Sequence, residues 1–465
     1  FCSGGAGAGK GMRKVITYGS FDLFHEGHLQ LLKRARALGD WLIVGVTTEQ
    51  YDEARGKLNI VDPLSERIEN VRKSGYADEV IVEDHVGQKV EDIQRYGVDV
   101  FTAGSDWEGR FDYLRDLCEV VYLPRTRDIS STLLRGRGRP LVRLGIVGSG
   151  RIASRFMGEA HYVSGVATTE VYNPHPGSAE KFARRHGLDR YGSDLEAFLE
   201  RVDAVYIASP HETHAAYTRQ ALSRGLHVLC EKPLCFSAAE AEELYALAKE
   251  RKAVLLEAVK TAYCPGFCQL LGVARSGVIG AVRDVEAAFS RIMPEGGRER
   301  RDADWGGSFT EYGSYTVLPI IKLLGRDYES VSFSSITAEN GVDLYTKASF
   351  KYARGMALSK TGVGVKTEGQ LVIAGTDGYI LAPSPWWLTK EFEVRHEDPS
   401  RIEKYTTRFL GSGLRYELSD FIYLINGYGG RDYKLSAGES VAMAGIMEKF
   451  IGERRARAAA AGTSA

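Results

Sequence analysis

A short apolar run, Val15-Ile16-Thr17-Tyr18, leads directly into Gly19 to His28, GSFDLFHEGH, and then into a helical pattern, LQLLKRARAL. A strand that breaks at glycine and resumes at once as a helix opens a parallel α/β sheet, and few other architectures accommodate it. His25 and His28 are spaced His-X-Gly-His where that helix begins. Free backbone N–H groups and the helix dipole favour an anion there, and Gly27 allows close backbone approach. Such a site suits nucleotidyl transfer, in which the substrate's phosphate attacks while the protein positions it and neutralises developing charge. Two histidines three apart are by themselves more often surface residues. Here Arg125 to Thr132, RTRDISST, adds a basic, hydroxyl-rich turn suited to a triphosphate, and the pair of segments is much more specific.

A second strand-turn-helix begins at VRLGIV, residues 142–147, and continues through Gly148, Ser149, Gly150, Arg151, Ile152 and Ala153, a G-x-G-x-x-A turn. In such a turn the first glycine makes the bend, the second admits a pyrophosphate and the small third residue packs helix on sheet. The next strand, TTEVYN, ends at Asn173, where an NAD site usually carries a carboxylate for the ribose, so the cofactor is NADP or NAD. DAVYIASPHETH brings Ser209, Pro210 and His214 to a strand end, and HVLCEKPL brings Glu231 and Lys232 to another. Ligands of open α/β sheets bind beyond the carboxyl ends of strands, which sets Lys232 beside the nicotinamide crevice. In WGGSFTEYGSYTVL, Glu311 and Tyr315 stand at i and i+4 and share a helix face. Tyr315 is expected to exchange the alcohol proton, with Lys232 tuning it.

Residues 12–135 resemble the glycerol-3-phosphate cytidylyltransferase family, through YGSFDLFHEGH, LGDWLIVGVTT, GSDWEGRFDYL, CEVVYLPRT and ISST in order. The resemblance implies that His25 and His28 stabilise the transition state at the α-phosphate of CTP and that Lys57 and Arg67 reach the phosphates. It places Asp22 and Arg67 toward the substrate, and Gly19, Ser20, Phe21, Asp106, Thr126, Ile129, Ser130 and Ser131 toward the nucleotide, with Arg125 catalytic and Mg2+ accompanying CTP. The acceptor would be glycerol 3-phosphate or a related polyol phosphate, and the product a CDP-polyol of the kind that feeds a cell-surface polymer. The chain departs from the family at Arg127-Asp128, usually Glu-Gly, and in a longer GKLNIVDPLSER segment.

Residues 141–455 resemble the Gfo/Idh/MocA family of glucose-fructose oxidoreductase and inositol dehydrogenase, through GIVGSGRIA, SPHETHAAY and EKPL. By that resemblance Gly148, Gly150, Arg151, Ile152, Asn173, Ser209, Pro210, His214 and Glu231 serve the cofactor, while Lys232, Glu311 and Tyr315 act on a small carbonyl or sugar substrate. Glu311 stands where Asp is more usual. The expectation is a bifunctional α/β enzyme in which a reductase supplies the alcohol that the transferase activates. Two alternatives stay open on the sequence alone: a second half that binds the cofactor as a sensor or scaffold without turnover, and a first half that transfers an adenylyl group.

The expected organisation is an extension at 1–11, disordered despite its imitation of a phosphate loop, and a Rossmann-like nucleotidyltransferase domain at 12–135. A linker follows at 136–140, then a Rossmann dinucleotide-binding domain at 141–262, an α+β substrate domain with an open, mostly antiparallel sheet at 263–455, and a tail at 456–465. Sixty basic residues against 61 acidic ones argue against a nucleic-acid partner. Six scattered cysteines form no CxxC pair, so neither a structural metal site nor a disulfide framework is expected. No secretory leader or run of eighteen apolar residues is visible, and a cytoplasmic protein without membrane partner is expected. Both resembled families suggest a homo-oligomer.

Overall fold

The computed structural model describes residues 12–124, 141–427 and 434–462. Arg125, Thr126, Ile129, Ser130, Ser131, the 136–140 linker and the 1–11 extension lie outside the described residues. The chain forms two compact units, one of residues 1–143 with 161–170 and 180–191, the other of 144–160, 171–179 and 192–465.

In the first unit five strands alternate with helices: β1 (Lys14–Gly19), β2 (Trp41–Thr47), β3 (Glu79–Glu83), β4 (Val100–Gly104) and β5 (Glu119–Leu123). They lie in the order β3-β2-β1-β4-β5, and every pair is parallel. Successive strand residues point to opposite faces, so Val15, Val44 and Val46 build one core with Leu32 and Val71, while Ile16, Ile43 and Phe101 build another with Ile93 and Leu114. Apolar residues on both faces are what a sheet covered on both sides by helices requires.

A second sheet follows, made of β6 (Val142–Val147), β7 (Val166–Tyr172), β8 (Arg190–Gly192), β9 (Ala204–Ile207), β10 (His227–Glu231) and β11 (Leu255–Ala258). Their order is β11-β10-β9-β6-β7-β8, with β6, β9, β10 and β11 mutually parallel. The chain then builds β12 (Val282–Ser290), β13 (Ser330–Thr337), β14 (Asp343–Tyr352), β15 (Gly355–Gly362), β16 (Leu371–Gly375), β17 (Tyr379–Ala382), β18 (Glu391–Arg395) and β19 (Ile402–Thr406). These form one sheet, β13-β14-β15-β12-β16-β17-β18-β19, antiparallel except between β12 and β15. The Ser308–Leu324 helix packs on β12, β14 and β15, and β14 shows why: Ala348, Phe350 and Tyr352 are buried while Lys347, Ser349 and Lys351 face outward. The last helix, Ala437–Gly462, continues into the segment expected as a tail.

One buried ion pair ties the Leu414–Ile425 helix to the Arg151–Ala160 helix. Arg415 meets Glu159 through Nε–Oε2 at 2.8 Å and Nη2–Oε1 at 3.2 Å, with both side chains at most one-tenth exposed. Removing one partner of such a pair leaves the other charge buried and uncompensated. Glu159→Gln is expected to lower the unfolding free energy of this unit by about 3 kcal/mol in urea titration, and a loss under about 1 kcal/mol would contradict the pairing.

Candidate active sites

Beyond the carboxyl end of β1 the backbone takes a strained course. Phe21 and Leu23 adopt φ of 51° and 47°, and Asn59 in the facing loop adopts 62°. Side chains rarely hold these values, and strain of this kind collects where a site demands a particular backbone path. Asp22 and Asp62 fix the two segments together. The Asp22 carboxylate accepts the N–H of Asp62 at 2.8 Å and of Val61 at 3.1 Å, and Asp62 accepts the N–H of Leu23 at 2.9 Å. Asp22, expected at the substrate, therefore uses its carboxylate on backbone donors.

His25 caps the Glu26–Arg36 helix, its Nδ1 accepting the Gly27 N–H at 3.0 Å. His28 Nδ1 accepts the His25 N–H at 3.4 Å, and the two rings stack with centroids 3.9 Å apart. An Nδ1 that accepts leaves the imidazole proton on Nε2, so both rings present Nε2–H donors. Burial, then the neighbouring His25 and Lys57, hold the pKa of His28 well below its ordinary value. Lys57 Nζ donates to Ser20 Oγ at 2.7 Å, and burial lowers its pKa against the opposing pull of Asp52 and Asp22. Phe21 stands edge-on to His28, and Asp106 lies on a short turn after β4, the other strand at this edge.

Arg67 takes a different place from the one expected at the phosphates. It is fully buried, and its guanidinium donates to the carbonyls of Ser20 (2.8 Å), Thr47 (2.7 Å) and Asp62 (2.9 Å), with Glu49 3.2 Å away. It braces the loop that carries Ser20. The signal was present in the sequence, because Arg67 shares a helix stripe with the buried Val71 at i+4.

In the second unit the turn after β6 has the form its glycines foreshadow. Gly148 adopts φ +101°, and a Cβ there would stand 2.6 Å from the Ala208 carbonyl oxygen, whereas one on Gly150 would meet open space. The Arg151–Ala160 helix, with Ile152 second, starts at once. Asn173 Nδ2 donates to Ser149 Oγ at 2.8 Å, which fastens the end of β7 to the turn. Arg151 pairs with Glu299 at 2.9 Å, and Ser209 Oγ lies 2.7 Å from Thr213 Oγ1 beyond Pro210. His214 is fully buried between the carbonyls of Pro233 (2.8 Å) and Ser209 (3.0 Å). Glu231 is buried too and accepts the Tyr206 hydroxyl at 2.7 Å. These two, expected at the cofactor, are both committed to interior hydrogen bonds.

Lys232, Glu311 and Tyr315 do come together. Lys232 Nζ donates to the Glu311 carbonyl at 2.8 Å, lies 3.4 Å from Glu311 Oε1 and stands over the Tyr315 ring, 5.5 Å from its centroid. His211, which the sequence reading passed over, brings Nε2 within 3.7 Å of Glu311 Oε2. Tyr315 is 8% exposed, and burial above all, with Glu231 next, raises its phenol well above the ordinary value.

Fold and sites together define two nucleotide-handling α/β enzymes in one chain. A cytidylyltransferase-like family model matches residues 16–137, an oxidoreductase family model with NAD-binding Rossmann fold matches 142–259, and a GFO/IDH/MocA C-terminal domain matches 268–381. A glycerol-3-phosphate cytidylyltransferase of Staphylococcus aureus (strain NCTC 8325 / PS 47) is 46% identical over 126 residues, 27% of this chain and 93% of that protein. An NADP(+)-dependent scyllo-inositol 2-dehydrogenase of Bacillus subtilis (strain 168) is 28% identical over 324 residues, 66% of this chain and 96% of that protein. A trans-1,2-dihydrobenzene-1,2-diol dehydrogenase of Sus scrofa is 30% identical over 299 residues, 59% of this chain and 86% of that protein. Among solved structures, a 3-ketoreductase of Actinomadura kijaniata in complex with TDP-benzene and NADP shares the fold at TM-score 0.58 and 24% identity, covering 66% of this chain and 96% of that one. The chain belongs to the cytidylyltransferase family by its first part and to the Gfo/Idh/MocA oxidoreductase family by the remainder. It joins both enzyme classes in one chain. Among the described residues no helix is long and apolar enough to cross a membrane.

A half-buried His28 with a lowered pKa has a direct consequence. Its native pKa lies below the unfolded value of about 6.5, so the unfolded chain binds the proton first as pH falls. The first unit is expected to lose stability progressively below about pH 6.5, and the His28 ring resonance, assigned by its loss in His28→Ala, should not titrate between about pH 7.5 and 6. A midpoint near 6.5 would contradict the geometry.

Proposed function

We propose that the first part transfers a cytidylyl group from CTP to glycerol 3-phosphate or a related polyol phosphate, releasing pyrophosphate, and that the second reduces a carbonyl to supply that alcohol. The observation that supports a carbonyl chemistry is the convergence of Lys232, Glu311 and Tyr315, which sets an ammonium and a phenol together for a substrate oxygen, and the presence of both enzymes in one chain motivates the order of steps. The reading extends over the domain limits drawn from the sequence, with a cytoplasmic setting.

At the transfer site His25 and His28 offer two neutral Nε2–H donors to the α-phosphate, and Lys57, which donates to Ser20, adds a positive charge. Asp22, Asp62 and Arg67 hold the loops that fix these donors, and the Arg125–Ser131 segment is assigned to the triphosphate, to which Mg2+ is bound on arrival. Gly19, Ser20 and Phe21 shape the wall, and Asp106 faces the nucleotide.

The turn Gly148–Gly150 fits a dinucleotide, since its backbone is open where a side chain would block a pyrophosphate. A reduced nicotinamide bound there supplies the hydride. NADP is favoured over NAD because Asn173, anchored on Ser149, puts no negative charge against a 2′-phosphate, and the names of the dehydrogenase and ketoreductase relatives specify NADP. Lys232 and Tyr315 then meet the substrate oxygen, and Glu311 with His211 orients Lys232.

The test is pyrophosphate release with CTP and Mg2+ against glycerol, erythritol and ribitol phosphates. One acceptor should support release, and His28→Ala should lower the rate by about 10²-fold or more. Release with another nucleotide but not CTP would overturn the assignment. NADPH oxidation by the matching carbonyl, chosen from dihydroxyacetone, erythrulose and ribulose phosphates, tests the second half, and Tyr315→Phe should abolish it.

A further inference from the structure

Lys57 is carried on a loop whose two flanks are fixed by backbone hydrogen bonds from different parts of the chain. Its own N–H donates to the Asp52 carbonyl at 2.8 Å. The next residue, Leu58, belongs to the GKLNIVDPLSER segment and forms an isolated parallel β-bridge with Val163. The Leu58 N–H donates to the Tyr162 carbonyl at 2.6 Å, and the Leu58 carbonyl accepts the Ser164 N–H at 2.9 Å. Asn59, with its φ of 62°, follows at once. A loop with a strained backbone keeps such a path only where its surroundings over-determine it, and here the bridge engages both backbone groups of Leu58.

The same short segment meets a second wall of the transfer site. Trp107, in the turn after β4 that carries Asp106, stands edge-on to the Tyr162 ring with centroids 6.0 Å apart and lies 6.4 Å from the His161 ring. Arg110, whose guanidinium is 5.4 Å from the centre of the Trp107 ring, donates to the Tyr162 hydroxyl at 2.7 Å. Val163 and Ser164 are buried. All of these residues belong to the first compact unit. By family, however, residues 161–164 fall in the oxidoreductase match of 142–259 and outside the cytidylyltransferase-like match of 16–137. A stretch of the oxidoreductase is thereby built into the transferase unit, in contact with the Lys57 loop and the Asp106 turn together.

We propose that Tyr162–Ser164 is a positioning segment for cytidylyl transfer: the bridge fixes the Lys57 loop, Tyr162 fixes the Asp106 turn, and the transferase depends on residues that the oxidoreductase sequence supplies. The proposal rests on the reading of Lys57 and Asp106 as groups that meet CTP. Its physical ground is preorganisation. A loop already held in its working path loses less conformational freedom when the nucleotide arrives, and a misplacement of about 1 Å in a positioning group can cost about 10²-fold in rate. Linkage gives the converse, because a bridge that favours CTP binding is itself favoured by bound CTP.

Two experiments on the full chain test it. In amide hydrogen exchange, CTP with Mg2+ is expected to slow the Ser164 amide by about tenfold, together with the amides of the His25–His28 turn. Exchange at Ser164 that ignores CTP while the His25–His28 turn responds overturns the proposal. In pyrophosphate release, Tyr162→Ala should lower kcat/KM for CTP by about tenfold and Tyr162→Phe by about twofold, with circular dichroism unchanged. Wild-type kcat/KM in a folded Tyr162→Ala overturns it as well. No response to CTP at either place, with no pyrophosphate released, removes the assignment of the transfer site on which the segment's role depends.

Discussion

Both parallel sheets are wound the same way: the first strand is central, the next two are laid on one flank, and the chain then crosses to the other. In the first sheet this sets β1 beside β4, and in the second β6 beside β9. At such a crossing the connections leave in opposite directions and open a crevice outside the carboxyl ends, with helix N-termini directed into it. Everything functional in the chain follows from that constraint. The His25-X-Gly-His28 turn follows β1 and the Gly148–Gly150 turn follows β6, each at its sheet's crossing. The eight-stranded sheet then brings Glu311 and Tyr315 to the second crevice on the helix it supports, where Lys232 arrives from β10.

Burial sets the protonation of both sites, in opposite senses. It disfavours the charged form of each group, lowering the pKa of His28 and raising that of the Tyr315 phenol. Lys57 brings its ammonium to the first site, where it donates to Ser20. In the second, Lys232 is the cation set against the Glu311 carboxyl group.

The local units were legible in the sequence because strand, glycine turn and helix are contiguous, and because Glu311 and Tyr315 need only a helix to share a face. Long-range burial was not. Arg67 reads as a phosphate ligand by motif, yet its helix turns it inward to carbonyls contributed by Ser20 and Thr47. His214 reads as a cofactor residue, yet Pro233 and Ser209 claim both ring nitrogens. Residues with two plausible destinations, a ligand or an interior acceptor, are the ones that local pattern cannot assign.

Joining a reductase to a cytidylyltransferase makes chemical sense if the alcohol made by one is drawn onward by pyrophosphate release in the other. The most direct measurement supplies the protein with CTP, Mg2+, a ketose or triose phosphate and NADPH carrying deuterium at the transferred position, and reads the CDP product by mass spectrometry. The account predicts a CDP-polyol containing one deuterium. A CDP product that forms only from ready-made polyol phosphate, and never carries deuterium, would contradict it.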